Sequence, residues 1–310
     1  MQKLAALVGP TAVGKTEVSV LVAEKLGAEI ISCDSMQVYR GMDIGTAKAD
    51  FATRQRVTHH LVDVVEPEVN FTVADYQKLA QGAINEIAKR GKLPLLVGGT
   101  GLYYQAVVDK YDFFPVEARQ EVRQRWERAL QEQGLTRLYE LLQAIDPEYA
   151  AKIGSNDRKR TIRALEVYDL TGQPFSRVQQ RNREAYQLAA VGLCRDRDQL
   201  YARIEARIDQ MIAEGLVDEV VKLRVRGYSL DSNAMQALGY KQVYCYLEGM
   251  INWEDCLRDI KQETRNFAKR QLTWFKRDKR ITWINVTQYI HAPELADKIC
   301  EIVEGQFRSM

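Results

Sequence analysis

Short apolar runs alternate with amphipathic stretches over the first third of the chain. The runs of strand length are Leu4–Val8, Glu29–Ser32, His60–Val65 and Pro94–Val97. Helical periodicity occupies Lys15–Leu26 and Thr72–Lys89, and Thr72 with Asp75 fits the capping box that begins a helix. Strands that alternate with helices predict βαβ units and a mostly parallel sheet with helices on both faces.

The pattern changes between residues 114 and 187, where apolar residues recur at helical spacing without an intervening strand. This change predicts an all-helical insertion domain at 114–187, within a core domain formed by residues 1–113 and 188–310. Beyond the insertion, strands are predicted at Leu188–Leu193 and Ile281–Val286. The helices predicted there are Arg197–Glu214, Leu216–Val225, Asn233–Leu247, Trp253–Lys276 and Ala292–Glu304.

The composition is that of a folded protein from a reducing compartment. Of 310 residues, 46% are hydrophobic and 28% are charged, which is ordinary for a globular chain. No apolar run approaches the roughly 20 residues that a membrane span requires. Five cysteines, widely spaced and odd in number, argue against a disulfide framework and a structural zinc site. We therefore expect a cytoplasmic protein with no membrane partner, and we expect a monomer.

The sequence GPTAVGKT fits the phosphate-loop pattern G-x-x-x-x-G-K-[ST], between a predicted strand and a predicted helix. Glycines let the backbone wrap a phosphate, and the amide groups at the helix N-terminus donate to its oxygens. Lys15 adds positive charge, and the Thr16 hydroxyl is placed to ligate Mg²⁺. We therefore expect an α/β fold of the P-loop NTPase type, although the pattern does not identify the ligand as ATP. The expected phosphate-binding residues are Gly9, Pro10, Thr11, Ala12, Val13, Gly14, Lys15 and Thr16.

Two polar residues follow the next predicted strands at the edge where α/β sheets bind ligands. Asp34 comes after the second strand, where an acid could hold Mg²⁺, act as general base, or only form a turn. Thr100 follows the Gly-Gly pair of VGGTGLYY and could orient a ligand or only cap the next helix. The paired glycines also suggest that a ligand approaches the backbone closely.

Two further pairs of residues leave alternatives open. Arg203 and Arg207 share one helical face, which could clamp a pyrophosphate or simply face solvent.

His59 and His60 have no acidic or cysteine partners at metal-binding spacing. We expect packing or hydrogen-bonding roles for both histidines.

Two segments are rich in positive charge. Between Arg258 and Arg280 there are nine Lys and Arg against three acids, and most share one helical face opposite Phe267 and Trp274. The second segment, NDRKRTIRALE, lies in the predicted insertion. Ribbons of positive potential suit a polyanionic backbone, so both favour nucleic-acid binding, whereas a small-molecule kinase needs neither.

Taken together, the motifs resemble the tRNA dimethylallyltransferase family, whose members prenylate adenine 37 beside the anticodon. The resemblance covers almost the whole chain. It rests on GPTAVGKT, DSMQVYRGMDIGTAK, HHLVD, VGGTGLY, RALEVYDLTG, MQALGYKQ and KQETRNFAKRQLTWFKRD, in that order. One departure is Ala49, where relatives often have proline. The motifs end without the zinc-finger extension of eukaryotic relatives, so we expect a bacterial type.

The resemblance implies a mechanism. Dimethylallyl diphosphate, rather than ATP, would place its pyrophosphate in the loop, helped by Lys15, Arg203, Arg207 and a Mg²⁺ ion on Thr16. Asp34 would take a proton from adenine N6 as that nitrogen attacks the allylic carbon. Thr100 would orient the reacting groups. The flipped base and the diphosphate would enter a channel from opposite ends.

The resemblance also implies contacts with the anticodon arm of tRNA. The residues near the flipped adenine would be Asp34, Ser35, Met36, Gln37 and Thr100. Further RNA contacts are expected at Arg123, Arg158, Lys159, Arg160, Thr161, Ile162, Gln236, Gly239, Tyr240, Lys241, Lys269 and Arg270.

Three alternatives remain at this stage. A small-molecule P-loop kinase leaves the basic segments unexplained. An adenylate prenyltransferase would share the first motifs but would not require the AKRQLTWF helix or the insertion. A non-catalytic RNA-binding module would make the set of Lys15, Thr16, Asp34 and Thr100 superfluous.

Overall fold

The computed structural model describes residues 1–113, 120–178 and 181–309. Its strands are β1 (Lys3–Val8), β2 (Ala28–Cys33), β3 (His59–His60), β4 (Leu93–Gly98), β5 (Gln187–Cys194) and β6 (Ile281–Asn285). All pair in parallel in one sheet of order β3-β2-β4-β1-β5-β6. The neighbours of β1 are therefore β4 and β5, which come later in the chain. Their carboxyl ends form the edge where such sheets bind ligands.

The helices surround this sheet or form the insertion. In the first part of the chain they are α1 (Lys15–Leu26), α2 (Phe51–Arg56), α3 (Val73–Lys89) and α4 (Gly101–Val108). Next come α5 (Gln120–Ile145), α6 (Pro147–Ile153), α7 (Arg158–Thr171) and α8 (Phe175–Val178). The remaining helices are α9 (Arg197–Ala213), α10 (Leu216–Val225), α11 (Tyr240–Leu247), α12 (Trp253–Phe275) and α13 (Ala292–Arg308).

Each face of the sheet carries its own hydrophobic core. Ala5 and Leu7 of β1 point to a core that includes residues of α1, α9, α10, α12 and α13. The alternate residue Ala6 points to the other core, with Tyr76 of α3 and Tyr104 of α4. Alternation along a strand sends successive side chains to opposite faces, so β1 is buried on both sides. This confirms the predicted parallel sheet between helical layers.

Local signals fixed several element boundaries. The predicted bounds of α1 and α10 match the observed ones, Lys15–Leu26 and Leu216–Val225. The predicted capping box is present, since the Thr72 side chain accepts from the Asp75 amide and the Asp75 side chain accepts from the Thr72 amide. Within the part of the chain that the structure describes, no helix has the length and apolar character of a membrane span.

Two predicted elements are wrong. The strand expected at His60–Val65 ends at residue 60, because Leu61 and Asp63 have φ values of 62° and 56°, which no strand accommodates. The helix expected at Asn233–Leu247 is broken. A 3₁₀ turn covers Ala234–Gln236 and α11 begins only at Tyr240, because Ala237 is extended and Gly239 is left-handed with φ of 88°.

The chain divides into two compact units. The first comprises Met1–Val108 and Glu184–Met310, and the second comprises Asp109–Arg183. The expected start of the insertion, residue 114, lies outside the described residues. The second unit contains α5, α6, α7 and α8, with Leu138, Leu142, Ile162 and Leu165 in its own hydrophobic core.

Candidate active site

The phosphate loop joins β1 to α1 in a conformation that requires its glycines. Gly9 and Gly14 have φ values of 151° and 107°, and Ala12 is also left-handed with φ of 60°. A Cβ on Gly9 would lie 2.5 Å from the carbonyl oxygen of Leu193 in β5. The loop is therefore pressed against the neighbouring strand, which fixes it at the carboxyl edge of the sheet.

The Lys15 ammonium is folded inside this loop. It donates hydrogen bonds to the carbonyl oxygens of Gly9 and Pro10, at 2.9 and 2.7 Å. Burial, and next the positive charge of Arg207, lower the pKa of Lys15 to about 7, while Asp34 acts in the opposite direction. Burial also lowers the pKa of Arg207. Two half-buried cations near Asp34 form a site that a bound polyanion would stabilise.

Asp34 and Thr100 lie at neighbouring strand ends. Asp34 follows β2, and its Oδ1 accepts a hydrogen bond from the Met36 amide at 2.9 Å. The Thr100 amide donates to the carbonyl oxygen of Cys33 at 3.1 Å, and the Thr100 hydroxyl oxygen accepts from the Ser35 amide at 3.0 Å. Thr100 therefore holds the turn that presents Asp34. The turn-forming role considered for Asp34 is present and coexists with its place in the cavity described next.

Two adjoining cavities meet at the phosphate loop. The first has a volume of about 330 Å³ and the second about 880 Å³. The residues that line both are Ala12, Lys15, Thr16, Ala47 and Arg207. Asp34 lines the first cavity, whereas Gly14 and Arg203 line the second. The carboxylate and the outer side of the loop thus face different cavities that share Lys15, Thr16 and Arg207.

The arginine pair predicted on one helical face converges on the loop. Both Arg203 and Arg207 line the second cavity from α9. Arg203 Nε also donates to the carbonyl oxygen of Ala12 at 3.1 Å, which ties α9 to the phosphate loop. Charged forks beside the loop suit a diphosphate, so the clamp stays a prediction that this placement favours.

The segment after Asp34 lines the first cavity. Ser35, Met36 and Gln37 all contribute to its wall. Both polar atoms of the Gln37 side-chain amide form hydrogen bonds. Its Oε1 accepts from the Ser32 hydroxyl at 2.8 Å, and its Nε2 donates to the carbonyl oxygen of Thr46 at 3.2 Å. Gln236 and Gly239, from the break before α11, line the same cavity.

Tyr240 requires a correction, because its side chain is fully buried and cannot meet RNA at the surface. Its hydroxyl donates to Oε1 of Glu219 at 2.5 Å. The same buried carboxylate accepts from the amides of Asp43 and Ile44, each at 2.9 Å, and from the amide of Gly45 at 3.3 Å. Tyr240 and Glu219 therefore hold the loop that borders the first cavity. Lys241, the next residue, is exposed.

The basic face of α12 is only partly free. Lys261 and Arg265 form ion pairs with acids of α9, at 2.7 and 2.5 Å. Lys269 and Arg270 are exposed, and the exposed cations Lys276, Arg277 and Lys279 follow. The positive ribbon predicted along the whole helix is therefore concentrated at its C-terminal end.

The basic segment NDRKRTIRALE of the second unit also contains both exposed and buried residues. Arg158, Lys159 and Arg160 are exposed on the first turn of α7. Thr161 and Ile162 are 0% and 2% exposed. The predicted RNA contacts of these two side chains are therefore wrong, because the helix turns them into the core of the unit.

Arg123 lies on α5 in the second unit, with half of its side chain exposed. It forms ion pairs with Glu127 at 3.1 Å and with the buried Glu166 at 3.5 Å. These acids already compensate much of its charge, which makes Arg123 a weaker candidate for phosphate contact than the exposed Arg158 and Lys159 of α7.

The phosphate loop offers few protein ligands for a metal ion, which suits a metal that binds together with a phosphate ligand. In the described ranges, no group of three or more His, Cys, Asp or Glu could hold a metal ion. His60 Nε2 instead bonds Glu29 at 2.7 Å, and His59 Nδ1 bonds the carbonyl oxygen of Val57 at 2.8 Å, so both histidines have hydrogen-bonding roles. Mg²⁺ commonly uses one or two protein oxygens together with phosphates and water, and Thr16 on both cavities fits that pattern.

Sequence reasoning missed Gln271 and Glu219. Gln271 of α12 lines the first cavity and contacts Gly99, where an added Cβ would collide with its amide nitrogen. The predicted reason for the paired glycines was the approach of a ligand. The structure shows a protein side chain there, and Gly98 meets the backbone of Cys33. The sequence signal was present, since Gln271 belongs to the AKRQLTWF motif.

The chain is similar to enzymes that prenylate tRNA. The IPP transferase family model matches residues 37–278. A tRNA dimethylallyltransferase of Syntrophomonas wolfei is 58% identical over 307 residues, which cover 99% of each chain. That of Moorella thermoacetica is 52% identical, covering 92% of this chain and 90% of the relative.

Solved structures of related enzymes match the fold over the whole of this chain. The tRNA isopentenylpyrophosphate transferase of Bacillus halodurans is 43% identical with a TM-score of 0.76, and the match covers 100% of this chain and 98% of that one. A eukaryotic dimethylallyltransferase described as acting on tRNA is 26% identical with a TM-score of 0.85, and the match covers 100% of this chain and 80% of that one.

Proposed function

Because this chain belongs to the IPP transferase family and is a prenyltransferase that acts on tRNA, we propose that it prenylates N6 of adenosine 37. The donor is dimethylallyl diphosphate, and pyrophosphate is released. The observation that carries the proposal is the shared wall of the two cavities. Asp34 lines one cavity, and the residues common to both, Lys15, Thr16 and Arg207, are those that would hold a diphosphate.

The phosphate loop binds the part of the donor that leaves. Loop amides and the forks of Arg203 and Arg207 receive the diphosphate oxygens from the second cavity. The Lys15 ammonium, which donates to carbonyl oxygens of the loop in the structure, is attracted by the negative charge of the same diphosphate. A diphosphate would reverse the depression of the Lys15 pKa, because a nearby anion favours the charged amine.

Transfer forms a bond between adenine N6 and the allylic carbon as the bond from that carbon to the bridging oxygen breaks. The electron pair of the broken bond leaves with pyrophosphate, whose growing charge Lys15 and Arg207 stabilise. Asp34 takes the proton from N6. Its carboxylate accepts one hydrogen bond from the Met36 amide and retains capacity for another partner. Thr100 keeps that carboxylate in place through the Ser35 amide.

Magnesium would be held by the Thr16 hydroxyl together with the diphosphate. When bound, it supplies positive charge that neutralises the leaving group.

The first cavity receives the adenine. Ser35, Met36, Gln37, Gln236 and Gly239 line it, and Phe267 of α12 also contributes to its wall. A base reaches such a cavity only after it leaves its stack. The exposed Lys269 and Arg270, and separately the exposed cations at 158–160, provide charge for the backbone of the anticodon arm.

Product identity with matched acceptors tests the proposal. The protein is incubated with radiolabelled dimethylallyl diphosphate and Mg²⁺, with unmodified tRNA, with AMP, or with neither. We expect label in tRNA at position 37 and equimolar pyrophosphate. Label in AMP but not tRNA would favour the adenylate prenyltransferase alternative. ATP turnover without transfer of label would favour a kinase.

A further inference from the structure

Helix α12 packs directly on the turn that joins β4 to α4. A Cβ added to Gly99 would collide with the Gln271 amide, and one added to Gly101 would collide with the Trp274 ring. Only glycine lets the helix come this close to the turn. The contact matters because Thr100, which holds the Asp34 turn, lies between these two glycines.

The Gln271 side chain joins two parts of the site that are far apart in sequence. It is 6% exposed. Its Oε1 accepts from the Thr11 amide in the phosphate loop at 2.9 Å. Its Nε2 donates to the carbonyl oxygen of Gly99 at 2.9 Å. One neutral side chain therefore satisfies a loop donor and a strand-end acceptor together, which a hydrocarbon or an ionised carboxylate cannot do.

Each end of this bridge leads to a group in the proposed reaction. Thr11 belongs to the loop that encloses Lys15. Gly99 precedes Thr100, whose amide and hydroxyl bond the backbone on either side of Asp34. The Gln271 amide therefore adds a direct link between the phosphate loop and the Thr100 turn, beyond the pairing of β1 with β4. Effective in-line transfer requires reacting atoms about 3 to 3.5 Å apart, and a misplacement of about 1 Å can reduce the rate about 100-fold.

We propose that Gln271 is a positioning residue that holds the phosphate loop against the end of β4 and, through Thr100, against the turn that carries Asp34. The inference rests on the proposed function. It concerns a residue whose amide bonds the protein backbone at both ends, placed on the helix that carries the exposed Lys269 and Arg270. A merely structural glutamine would stabilise the fold without affecting pyrophosphate binding or the chemical step.

The test compares Gln271→Leu and Gln271→Glu with Gln262→Leu and Gln262→Glu, which change an exposed glutamine of the same helix. Three quantities are measured on the full chain. They are the affinity for inorganic pyrophosphate with Mg²⁺, the single-turnover rate with saturating tRNA and donor, and the Kd for tRNA. For Gln271→Leu we expect pyrophosphate affinity and the single-turnover rate to fall, the latter about 100-fold, with the Kd for tRNA within about threefold of wild type.

The Gln271→Glu variant adds a readout that a packing role would not produce. An ionised carboxylate can accept from the Thr11 amide but cannot donate to the Gly99 carbonyl oxygen, whereas the protonated acid can do both. Pyrophosphate affinity relative to wild type should therefore rise as the pH falls through the pKa of the introduced acid. This readout stays available if the leucine variant fails to fold.

Two outcomes would overturn the proposal. One is a pair of Gln271 variants that lose thermal stability but match the Gln262 controls in pyrophosphate affinity and turnover. The other is a pyrophosphate affinity of Gln271→Glu that, relative to wild type, does not change with pH. Pyrophosphate binding is measured without any acceptor, so it tests Gln271 separately. A wild-type protein that binds pyrophosphate but prenylates no tRNA would refute the proposed function instead.

Discussion

The charge of Lys15 depends on what the site contains. In the described structure its ammonium bonds loop carbonyl oxygens, and burial with the charge of Arg207 lowers its pKa to about 7. A bound diphosphate favours the charged form, so it raises this pKa again. Binding and protonation of Lys15 are therefore linked, and each strengthens the other.

This linkage predicts how pyrophosphate binding responds to pH. Above about pH 7 the free enzyme holds Lys15 increasingly neutral, so the affinity should fall as the pH rises and binding should take up protons. Calorimetry at pH 8 in buffers of different ionisation enthalpy measures that uptake. Lys15→Arg is the control, because arginine stays charged and the titration of the ligand is common to both proteins. Equal uptake by the two proteins would contradict the assignment.

Glu219 shows how a buried charge can shape a loop. Its carboxylate is the shared acceptor for three consecutive amides, those of residues 43–45, and for the Tyr240 hydroxyl. A buried carboxylate is tolerated when its oxygens have such partners. Because the loop borders the first cavity, its conformation depends on a residue that lines neither cavity.

Removal of the Tyr240 hydroxyl should therefore be costly. We expect Tyr240→Phe to lower the free energy of unfolding by about 2 kcal/mol, as for a hydrogen bond to a charged group. Tyr244→Phe, in the half-buried part of the same helix, should change it by less than about 1 kcal/mol. Urea denaturation of both variants checks the difference. Equal stabilities would show that the short contact to Glu219 contributes little.

At the scale of elements, the cations of α12 have different roles along the length of the helix. Lys261 and Arg265 bind acids of α9, so they fix the helix against its neighbour. Lys269 and Arg270 are exposed, and Gln271 turns inward to the phosphate loop. The exposed cations are therefore the ones available to a polyanion.

This division predicts different effects from substitutions along one helix. Lys269→Ala and Arg270→Ala should each weaken tRNA binding and reduce the slope of log Kd against log salt by roughly 0.7 to 0.9. Lys261→Ala should leave that slope nearly unchanged, because its ion pair already compensates the charge. Binding titrations at several salt concentrations measure these slopes. A loss of slope in Lys261→Ala equal to that in Lys269→Ala would contradict the division.

Local signals explain which elements could be predicted. The bounds of α1 follow from the loop and periodicity before Leu26, and α3 begins where its capping box does. The break before α11 was missed, because it depends on the left-handed Gly239 and on packing of Tyr240 against a distant carboxylate. Tertiary contacts decided that segment against its helical periodicity.

The candidate site was predictable where its chemistry is local. The phosphate loop and Asp34 stand directly after β1 and β2, so their position at the sheet edge follows from the parallel topology. Gln271 could not be located in this way, because its partner Thr11 lies 260 residues earlier. Thr161 was misplaced for a related reason, since a basic stretch on a helix does not reveal which of its residues turns inward.

For the whole molecule, the sheet topology concentrates the proposed chemistry in one unit. The ends of β1, β2 and β4 bring together the phosphate loop, the Asp34 turn and the Thr100 turn, all within Met1–Val108. Residues Glu184–Met310 add Arg207 and Gln271 to that site. The second unit contributes a separate group of exposed cations at 158–160.

The central claim is that the phosphate loop holds a leaving group while Asp34 takes the proton from the attacking base. The single-turnover rate of Asp34→Asn, with saturating tRNA and dimethylallyl diphosphate, tests it most directly. The amide can still accept from the Met36 amide but cannot act as base. We predict a rate about 10²- to 10⁴-fold below wild type, with tRNA and pyrophosphate affinities within about threefold. A near-normal rate of prenyl transfer would contradict the account.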